Sequence, residues 1–151
     1  MSDSVVVDAS LAVKWVLKEP YTVEAMALLA EWERQQCRIL APSLLAFEVA
    51  NALYKRVSRG ELALDVVKRA LDDFLPVGPA LSREPATHRR AFELAHQFSR
   101  PTSYDAHYLA LAERQGCECW TADERLWNAV REKLSWVRWI GEYHPPASSS
   151  G

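Results

Sequence analysis

The sequence predicts an α/β protein in which three layers, α/β/α, are built on a mainly parallel sheet of four to five strands. Short apolar runs typical of buried strands alternate with longer segments of helical spacing, and this alternation predicts a parallel sheet covered by helices. The 151 residues, 49% of them hydrophobic, suit one globular domain with a sizeable core. We expect a single domain over residues 1–142 and a disordered tail, rich in Pro and Ser, over residues 143–151.

The first strand is predicted at residues 4–8, a continuous apolar run that ends in an acid, as in strands buried on both faces of a sheet. Ser10 suits the start of a helix and Gly60 the end of another, because these residue types favour the two kinds of cap. Pro42 fits a first helical turn, where its missing N–H has no partner. The elements that follow the first strand are helix 11–17, helix 23–34, strand 37–41, helix 43–59 and helix 61–74.

The second half of the chain continues the alternation. Gly116 ends a helix that begins at Tyr104, and a short apolar run follows it. The predicted elements are strand 75–77, helix 84–98, helix 104–115, strand 117–121, helix 123–133 and strand 136–140. In a sheet of this kind ligands bind beyond the carboxyl ends of the strands, so functional residues are expected at that edge.

The composition excludes several classes of protein. With 18 Lys and Arg against 20 Asp and Glu, the chain has no overall positive charge to indicate a nucleic-acid ligand. Cys37, Cys117 and Cys119 lack a second close pair, so we expect reduced thiols and neither a disulfide framework nor a zinc site. No uncharged run exceeds nine residues and no basic leader begins the chain, which predicts a cytoplasmic protein without a membrane span.

Four acids fall at strand ends or near helix starts. Asp8 ends the first strand, and Asp123 follows the strand at 117–121 by two residues. Asp105 lies in the first turn of its helix, and Glu48 lies in the second turn of another helix among apolar neighbours. A carboxylate in so apolar a stretch is unfavourable unless it is paired or binds a cation. These positions therefore predict a ligand site.

Carboxylates that meet at one edge of a sheet repel each other, and hard divalent cations with oxygen ligands are the usual solution. Magnesium or manganese fits this set of donors, whereas zinc does not, because His and Cys are missing from these positions. One or two such ions generate a nucleophile from water and stabilise the charge that builds on a phosphate. The pattern therefore predicts hydrolysis of a phosphodiester.

Four segments around these acids form a specific pattern when they are taken in order. They are Val-Val-Val-Asp8-Ala-Ser10-Leu-Ala-Val-Lys14-Trp15, Ala41-Pro-Ser-Leu-Leu-Ala-Phe-Glu48-Val-Ala-Asn51-Ala-Leu, Ser103-Tyr-Asp105-Ala-His-Tyr-Leu-Ala-Leu-Ala and Thr121-Ala-Asp123-Glu-Arg-Leu. In this order and spacing they resemble the PIN-domain family and, within it, the VapC-type toxins of bacterial toxin-antitoxin pairs. The resemblance covers about residues 5–140.

The resemblance implies roles for individual residues. By position, the family's metal-binding and catalytic acids are Asp8, Glu48, Asp105 and Asp123. Asp8 would be the central ligand, and the hydroxyls of Ser10 and Thr121 would orient the carboxylates. Asn51 follows Glu48 by three residues and would assist from the same face of the helix.

Two basic residues are candidate contacts for the substrate phosphate. Lys14 lies in the first predicted helix, and Arg100 lies in the turn before Asp105. Structural roles also fit many of the polar residues: Asp105, Asp123 and Ser10 as helix caps, Thr121 as an ordinary strand residue, Asn51 as a polar residue that borders the site and Lys14 as a solvated charge. For the four acids together the metal site is the favoured interpretation.

The family implies a PIN-like α/β/α fold and an Mg²⁺- or Mn²⁺-dependent endoribonuclease that is the toxin of a toxin-antitoxin pair. It would hydrolyse RNA with metal-activated water. The implied partners are a cognate antitoxin, the RNA substrate and a second copy in a homodimer. Two alternatives stay open: a catalytically weak or inactive PIN-fold module that works through its antitoxin, and a metal-dependent nuclease that acts on DNA.

Two other α/β classes also collect acids at strand ends. A phosphatase of the haloacid-dehalogenase type would have Asp at position 10, where this chain has Ser10. A receiver domain would have paired acids just before the end of the first strand and a lysine after the last strand, and neither is present. Both classes are therefore disfavoured.

Overall fold

The structure, a computed structural model, describes residues 3–147, and their strands form one sheet. The five strands are β1 (Ser4–Val7), β2 (Arg38–Pro42), β3 (Ala80–Ser82), β4 (Glu118–Thr121) and β5 (Val137–Trp139). Their order is β3-β2-β1-β4-β5, and each neighbouring pair is parallel. The prediction of a mainly parallel sheet of four to five strands is confirmed.

Helices cover the sheet in a three-layer α/β/α arrangement. Within residues 3–147 they are α1 (Ala9–Ala12), α2 (Thr22–Arg34), α3 (Leu44–Ser58), α4 (Leu64–Phe74), α5 (Ala86–Gln97), α6 (Tyr104–Gln115) and α7 (Glu124–Val130). A 3₁₀ turn, Val13–Trp15, continues α1. Because parallel strands are joined by right-handed crossovers, connections that run in opposite directions along the sheet place their helices on opposite faces.

The hydrophobic core surrounds β1 and includes buried residues of α6. Val5, Val6 and Val7 are all buried, as expected of a strand covered on both faces. Helix α6 is buried along most of its length and contacts β1, β2 and β4. Alanines at three of its buried positions let the helix approach the sheet closely.

The prediction of a strand at residues 75–77 is wrong. Leu75 and Val77 are exposed and Pro76, which has no N–H to donate, stands between them, so the segment forms no ladder. The third strand is instead Ala80–Ser82, which pairs with Leu40 to Pro42 of β2.

The placement of Pro42 in the first turn of a helix is also wrong. Pro42 is the last residue of β2, opposite Ser82, and α3 begins two residues later at Leu44. Its missing donor is tolerated because the strand ends there and the next ladder bond is made by the N–H of Ser43, which donates to the Ser82 carbonyl at 3.1 Å.

Several helix boundaries differ from the predicted ones by a few residues. The first helix is shorter than residues 11–17 and tightens into the 3₁₀ turn, α4 begins at Leu64, and α7 ends at Val130. The predicted glycine stops are confirmed, since Gly60 and Gly116 have φ angles of 72° and 64° after α3 and α6.

The three cysteines are free thiols, as predicted, with Cys117 and Cys119 buried and Cys37 half-buried. Among residues 3–147 we find no helix that is long and apolar enough to cross a membrane.

After a 3₁₀ turn at Ile140–Glu142, the chain contains no regular structure up to residue 147. Tyr143 nevertheless packs edge-on against Trp120 of β4, with ring centroids 6.0 Å apart. The rest of the predicted tail, residues 148–151, and the first two residues of the chain lie outside the described residues, so the tail remains a prediction.

Candidate active site

Two of the predicted acids, Asp8 and Asp123, lie at the carboxyl edge of the sheet where the strand order reverses. From β1 the chain adds β2 and β3 on one side and then β4 and β5 on the other. Such a reversal leaves a crevice outside the ends of the two central strands, and α/β proteins bind ligands there. Asp8 directly follows β1, Thr121 is the last residue of β4, and Asp123 comes two residues later. The fold therefore brings three predicted residues to one crevice.

Asp8 is held by hydroxyl and amide donors. Its Oδ1 accepts hydrogen bonds from the Ser10 hydroxyl at 2.7 Å and from the Leu11 N–H at 3.1 Å, so Asp8 caps α1. Its Oδ2 accepts a hydrogen bond from the Thr121 hydroxyl. The predicted partnership of Ser10 and Thr121 with Asp8 is thus present in the geometry.

The same two hydroxyls tie the end of β1 to the end of β4. Each donates its proton to Asp8 and also accepts a backbone N–H: Ser10 Oγ from Ala122 at 3.0 Å, and Thr121 Oγ1 from Asp123 at 2.9 Å. The Asp8 carboxylate is therefore fixed relative to the backbone that carries Asp123.

The negative charge of Asp8 is poorly compensated. Asp8 is 6% exposed, and its hydrogen-bond partners within residues 3–147 include no cationic side chain. Burial raises its pKa from 3.8 to about 6, against the opposing effect of the three hydrogen bonds, and the nearby charge of Asp123 adds a small rise. A cation at this edge would stabilise the ionised carboxylate.

Glu48 projects from α3 toward α6. Its Oε1 accepts a hydrogen bond of 2.5 Å from the hydroxyl of Tyr108, which is buried. Glu48 also lines a cleft of about 240 Å³ together with Ser10, Asn51 and Lys55. The prediction that Asn51 lies on the same side of α3 as Glu48 agrees with this cleft.

Asp105 is paired with Arg100. The Nε and Nη2 atoms of Arg100 each lie 2.9 Å from Oδ2 of Asp105, whereas Oδ1 is buried and has no hydrogen-bond partner within residues 3–147. The positive charge of Arg100 therefore compensates Asp105, and the site has a guanidinium beside one of its acids.

Asp123 is the N-cap of α7. Its Oδ1 accepts hydrogen bonds from the N–H groups of Arg125 at 3.0 Å and Leu126 at 3.2 Å. One oxygen thus caps the helix, as the structural alternative for this residue proposed, and the other accepts no hydrogen bond within residues 3–147.

Lys14 is not placed as a free substrate contact. Its ammonium group is little exposed and lies 3.3 Å from Oε1 of Glu19, while the other oxygen of Glu19 accepts a hydrogen bond from Arg56 at 3.2 Å. This network joins the turn after α1 to α3. Lys14 would have to leave Glu19 to reach a phosphate.

The acids do not form a ready-made metal cage. Within residues 3–147, no three His, Cys, Asp or Glu side chains are arranged so that they enclose a metal ion. The chemistry of the donors still fits Mg²⁺ or Mn²⁺, because they are carboxylate and hydroxyl oxygens. The unpartnered oxygen of Asp105 and the uncompensated charge of Asp8 are two places that such a cation would stabilise. The chemical type of the donors therefore suits the ion, although their side chains within residues 3–147 do not converge on one point.

Sequence reasoning assigned no role to Tyr108. The signal was available, since Tyr108 follows Asp105 by three residues in α6 and so lies on the same side of that helix. The sequence does not reveal that Tyr108 contacts Glu48, because the two residues are 60 positions apart in the chain.

Comparison with known proteins agrees with the geometry. The family model described as the PIN domain matches residues 5–133 of the chain. Ribonuclease VapC3 of Pyrobaculum aerophilum is 33% identical over 123 residues, which are 80% of this chain and 90% of that protein. Ribonuclease VapC9 of Mycobacterium tuberculosis is 33% identical over 124 residues, which are 81% of this chain and 87% of that protein. With the match along most of its length and the acids at the reversal of its sheet, the chain belongs to the PIN-domain family, in its VapC-type branch.

Proposed function

We propose that the protein is an Mg²⁺- or Mn²⁺-dependent endoribonuclease and the toxin of a toxin-antitoxin pair. The single observation that carries the proposal is the state of Asp8: a buried carboxylate at the crevice between β1 and β4, fixed by hydroxyls and without a cationic partner among residues 3–147. The relatives that are named ribonucleases favour RNA as the substrate.

The residues that would hold the cation are Asp8, Glu48, Asp105 and Asp123. When bound, a divalent cation supplies a Lewis acid that promotes the ionisation of water and stabilises the charge on a phosphate. Ser10 and Thr121 keep the Asp8 carboxylate in one orientation, because both hydroxyl protons point at its oxygens. The chain's own contribution is thus to preorganise the acids at the crevice.

Contacts to the substrate are proposed for groups that border the acids. Lys55 and Asn51 line the cleft beside Glu48, and Arg100 stands beside Asp105. A phosphate that reaches this edge would meet a guanidinium able to bind it through two N–H groups. For Lys14 we propose a weaker contribution, because Glu19 already binds its ammonium.

The proposed partners follow from the VapC-type relatives. A cognate antitoxin would place a basic side chain, preferably Arg, against the acids and so compete with the cation. A homodimer of the chain and action in the cytoplasm, where the RNA lies, complete the proposal.

An inactive PIN-fold module is the second candidate function, because no three potential ligands within residues 3–147 are arranged around a metal ion. A catalytically inactive module that works through its antitoxin would keep the fold and need no gathered ligands. A nuclease that acts on DNA is the third outcome.

The test is cleavage of total cellular RNA, and of single-stranded DNA in parallel, by purified protein without antitoxin. Reactions contain Mg²⁺, Mn²⁺ or EDTA. Discrete RNA fragments that require the metal are expected. Cleavage of DNA alone would reassign the substrate, and no cleavage by folded protein that binds Mn²⁺ would favour the inactive module.

A further inference from the structure

The hydroxyl of Tyr108 donates a hydrogen bond to Glu48, one of the four acids. The Tyr108 side chain is 1% exposed, and the only hydrogen bond that its hydroxyl makes within residues 3–147 is the 2.5 Å contact with Oε1 of Glu48. Tyr108 belongs to α6, one turn after Asp105, and Glu48 belongs to α3. The contact therefore joins the two helices across the proposed metal site.

Two further observations relate this hydrogen bond to the proposed cation site. The negative charge of Asp8 raises the pKa of Tyr108, in addition to the larger effects of burial and of Glu48, so the hydroxyl lies within electrostatic range of both acids. Glu48 also lines one cleft with Ser10, the residue whose hydroxyl donates to Asp8. The second oxygen of Glu48, Oε2, makes no hydrogen bond within residues 3–147 and is free for another ligand.

A glutamate that is only half-buried on a helix surface has several rotamers to choose from. A short hydrogen bond from a rigid, buried phenol to the charged carboxylate selects one of them. We infer that Tyr108 is a positioning residue, which holds Glu48 in the orientation that faces Asp8 and presents Oε2 to the divalent cation. This inference rests on the proposed function, because the cation is part of that proposal.

The competing explanation is that Glu48 merely satisfies a buried hydroxyl. That explanation predicts that the loss of the hydroxyl changes the thermal stability of the protein but not its affinity for a metal. Metal affinity, measured without any nuclease activity, therefore separates the two explanations.

The experiment is a calorimetric titration of the full chain with Mn²⁺, together with thermal unfolding. Tyr108→Phe keeps the ring and removes the hydroxyl, and we expect Mn²⁺ to bind about tenfold more weakly, the range found when the partner that orients a ligand is lost. Tyr54→Phe is the matched control, because Tyr54 is an exposed tyrosine on α3, and it should bind Mn²⁺ as the wild type does.

A double-mutant cycle tests whether Tyr108 acts through Glu48. Glu48→Gln removes a ligand charge and should weaken Mn²⁺ binding, and adding Tyr108→Phe to it should cause no further loss. Glu48→Asp offers a second route, since it keeps the charge but withdraws the carboxylate from the hydroxyl. It should bind Mn²⁺ about tenfold more weakly than the wild type does, and it provides the test if Tyr108→Phe does not fold.

The inference is overturned if Tyr108→Phe folds and binds Mn²⁺ with wild-type affinity, if the two substitutions have additive effects, or if Glu48→Asp binds as tightly as the wild type. In each of these cases the wild type still binds Mn²⁺ and the proposed function survives. A wild type that binds no Mn²⁺ would overturn both the inference and the metal-dependent function.

Discussion

The Asp8 and Asp105 carboxylates, both proposed cation ligands, differ in how far their negative charge is compensated. Asp8 is buried and receives hydrogen bonds from the neutral donors Ser10, Leu11 and Thr121, and its pKa is raised to about 6. Asp105 is partly exposed and is paired with the guanidinium of Arg100. The deficit of positive charge is therefore concentrated at Asp8, where a divalent cation has most to stabilise.

The comparison predicts that cleavage depends more strongly on Asp8 than on Asp105. Asp8→Asn should reduce the rate of RNA cleavage by more than about 100-fold, because it removes the proposed central ligand, a larger loss than the 10- to 100-fold effect of an orienting partner. Asp105→Asn should reduce the rate by about tenfold, because Arg100 already compensates the charge of that acid. Rates are measured on a defined RNA in Mg²⁺, with Asp65→Asn, an exposed acid of α4, as the control. Equal losses for the two acids would contradict the claim that the charge of Asp8 is less compensated than that of Asp105.

The second prediction concerns folding. The folded protein holds a proton on Asp8 up to about pH 6, whereas the unfolded chain releases it near pH 3.8, so this group stabilises the fold below pH 4 and loses that contribution as the pH rises through 6. Over 2.2 pH units the loss amounts to about 3 kcal/mol in the free energy of unfolding.

Asp8→Asn should recover that loss. The amide of the new Asn side chain can donate to Thr121 Oγ1, and the Thr121 hydroxyl can then donate to Ser10 Oγ, which lies 3.3 Å away. Both hydroxyls and the amide therefore keep hydrogen-bond partners. Denaturant unfolding in EDTA should show the variant more stable than the wild type by about 3 kcal/mol at pH 7 and equal to it near pH 3.5. A variant that is less stable than the wild type at pH 7 would contradict the uncompensated charge.

Much of this contrast was accessible from the sequence. The apolar run that ends in Asp8 predicted both the central strand and the acid at its end. The four motifs predicted Glu48, Asp105 and Asp123 as further ligands, and that assignment stays a prediction. Local patterns were sufficient here, because strand ends and first helical turns are defined by neighbouring residues.

The side chains that contact the acids could not be predicted from local sequence patterns. Arg100 was predicted to contact a phosphate, but its ion pair with Asp105 depends on how the turn before α6 folds back. The contact of Tyr108 with Glu48 joins two helices 60 residues apart, and the third strand was misplaced because its register depends on pairing with β2. Such contacts are set by tertiary packing rather than by local sequence.

The third prediction tests the neutral donors around Asp8. Thr121→Val keeps the shape of the side chain and removes the proton given to Oδ2, and it should weaken Mn²⁺ binding about 10- to 100-fold. Thr87→Val, which removes another buried hydroxyl bonded to the Glu84 carbonyl, serves as the control in the same calorimetric titration. Unchanged Mn²⁺ affinity in Thr121→Val would show that the hydroxyl does not orient the Asp8 carboxylate.

The smallest expected effect comes from the compensated acid. Arg100→Gln removes the positive charge beside Asp105 and should tighten Mn²⁺ binding about threefold, a change in the range of a partly exposed ion pair. The same variant should bind RNA more weakly if the guanidinium contacts phosphate. Arg90→Gln, which breaks an ion pair with Glu113 in the α5–α6 contact, should change neither value, and an unaltered Mn²⁺ affinity in Arg100→Gln would remove Arg100 as a competitor of the cation.

The most direct measurement is anomalous X-ray diffraction from crystals of the protein soaked in Mn²⁺, collected for the wild type and for Asp8→Asn. The uncompensated charge at the crevice between β1 and β4 predicts an anomalous peak within coordination distance of the Asp8 carboxylate, with at least one other of the four acids turned toward it, and no peak in the variant. A wild-type map without a peak at this edge, or with the same peak in Asp8→Asn, would contradict the assignment of Asp8 as the central ligand.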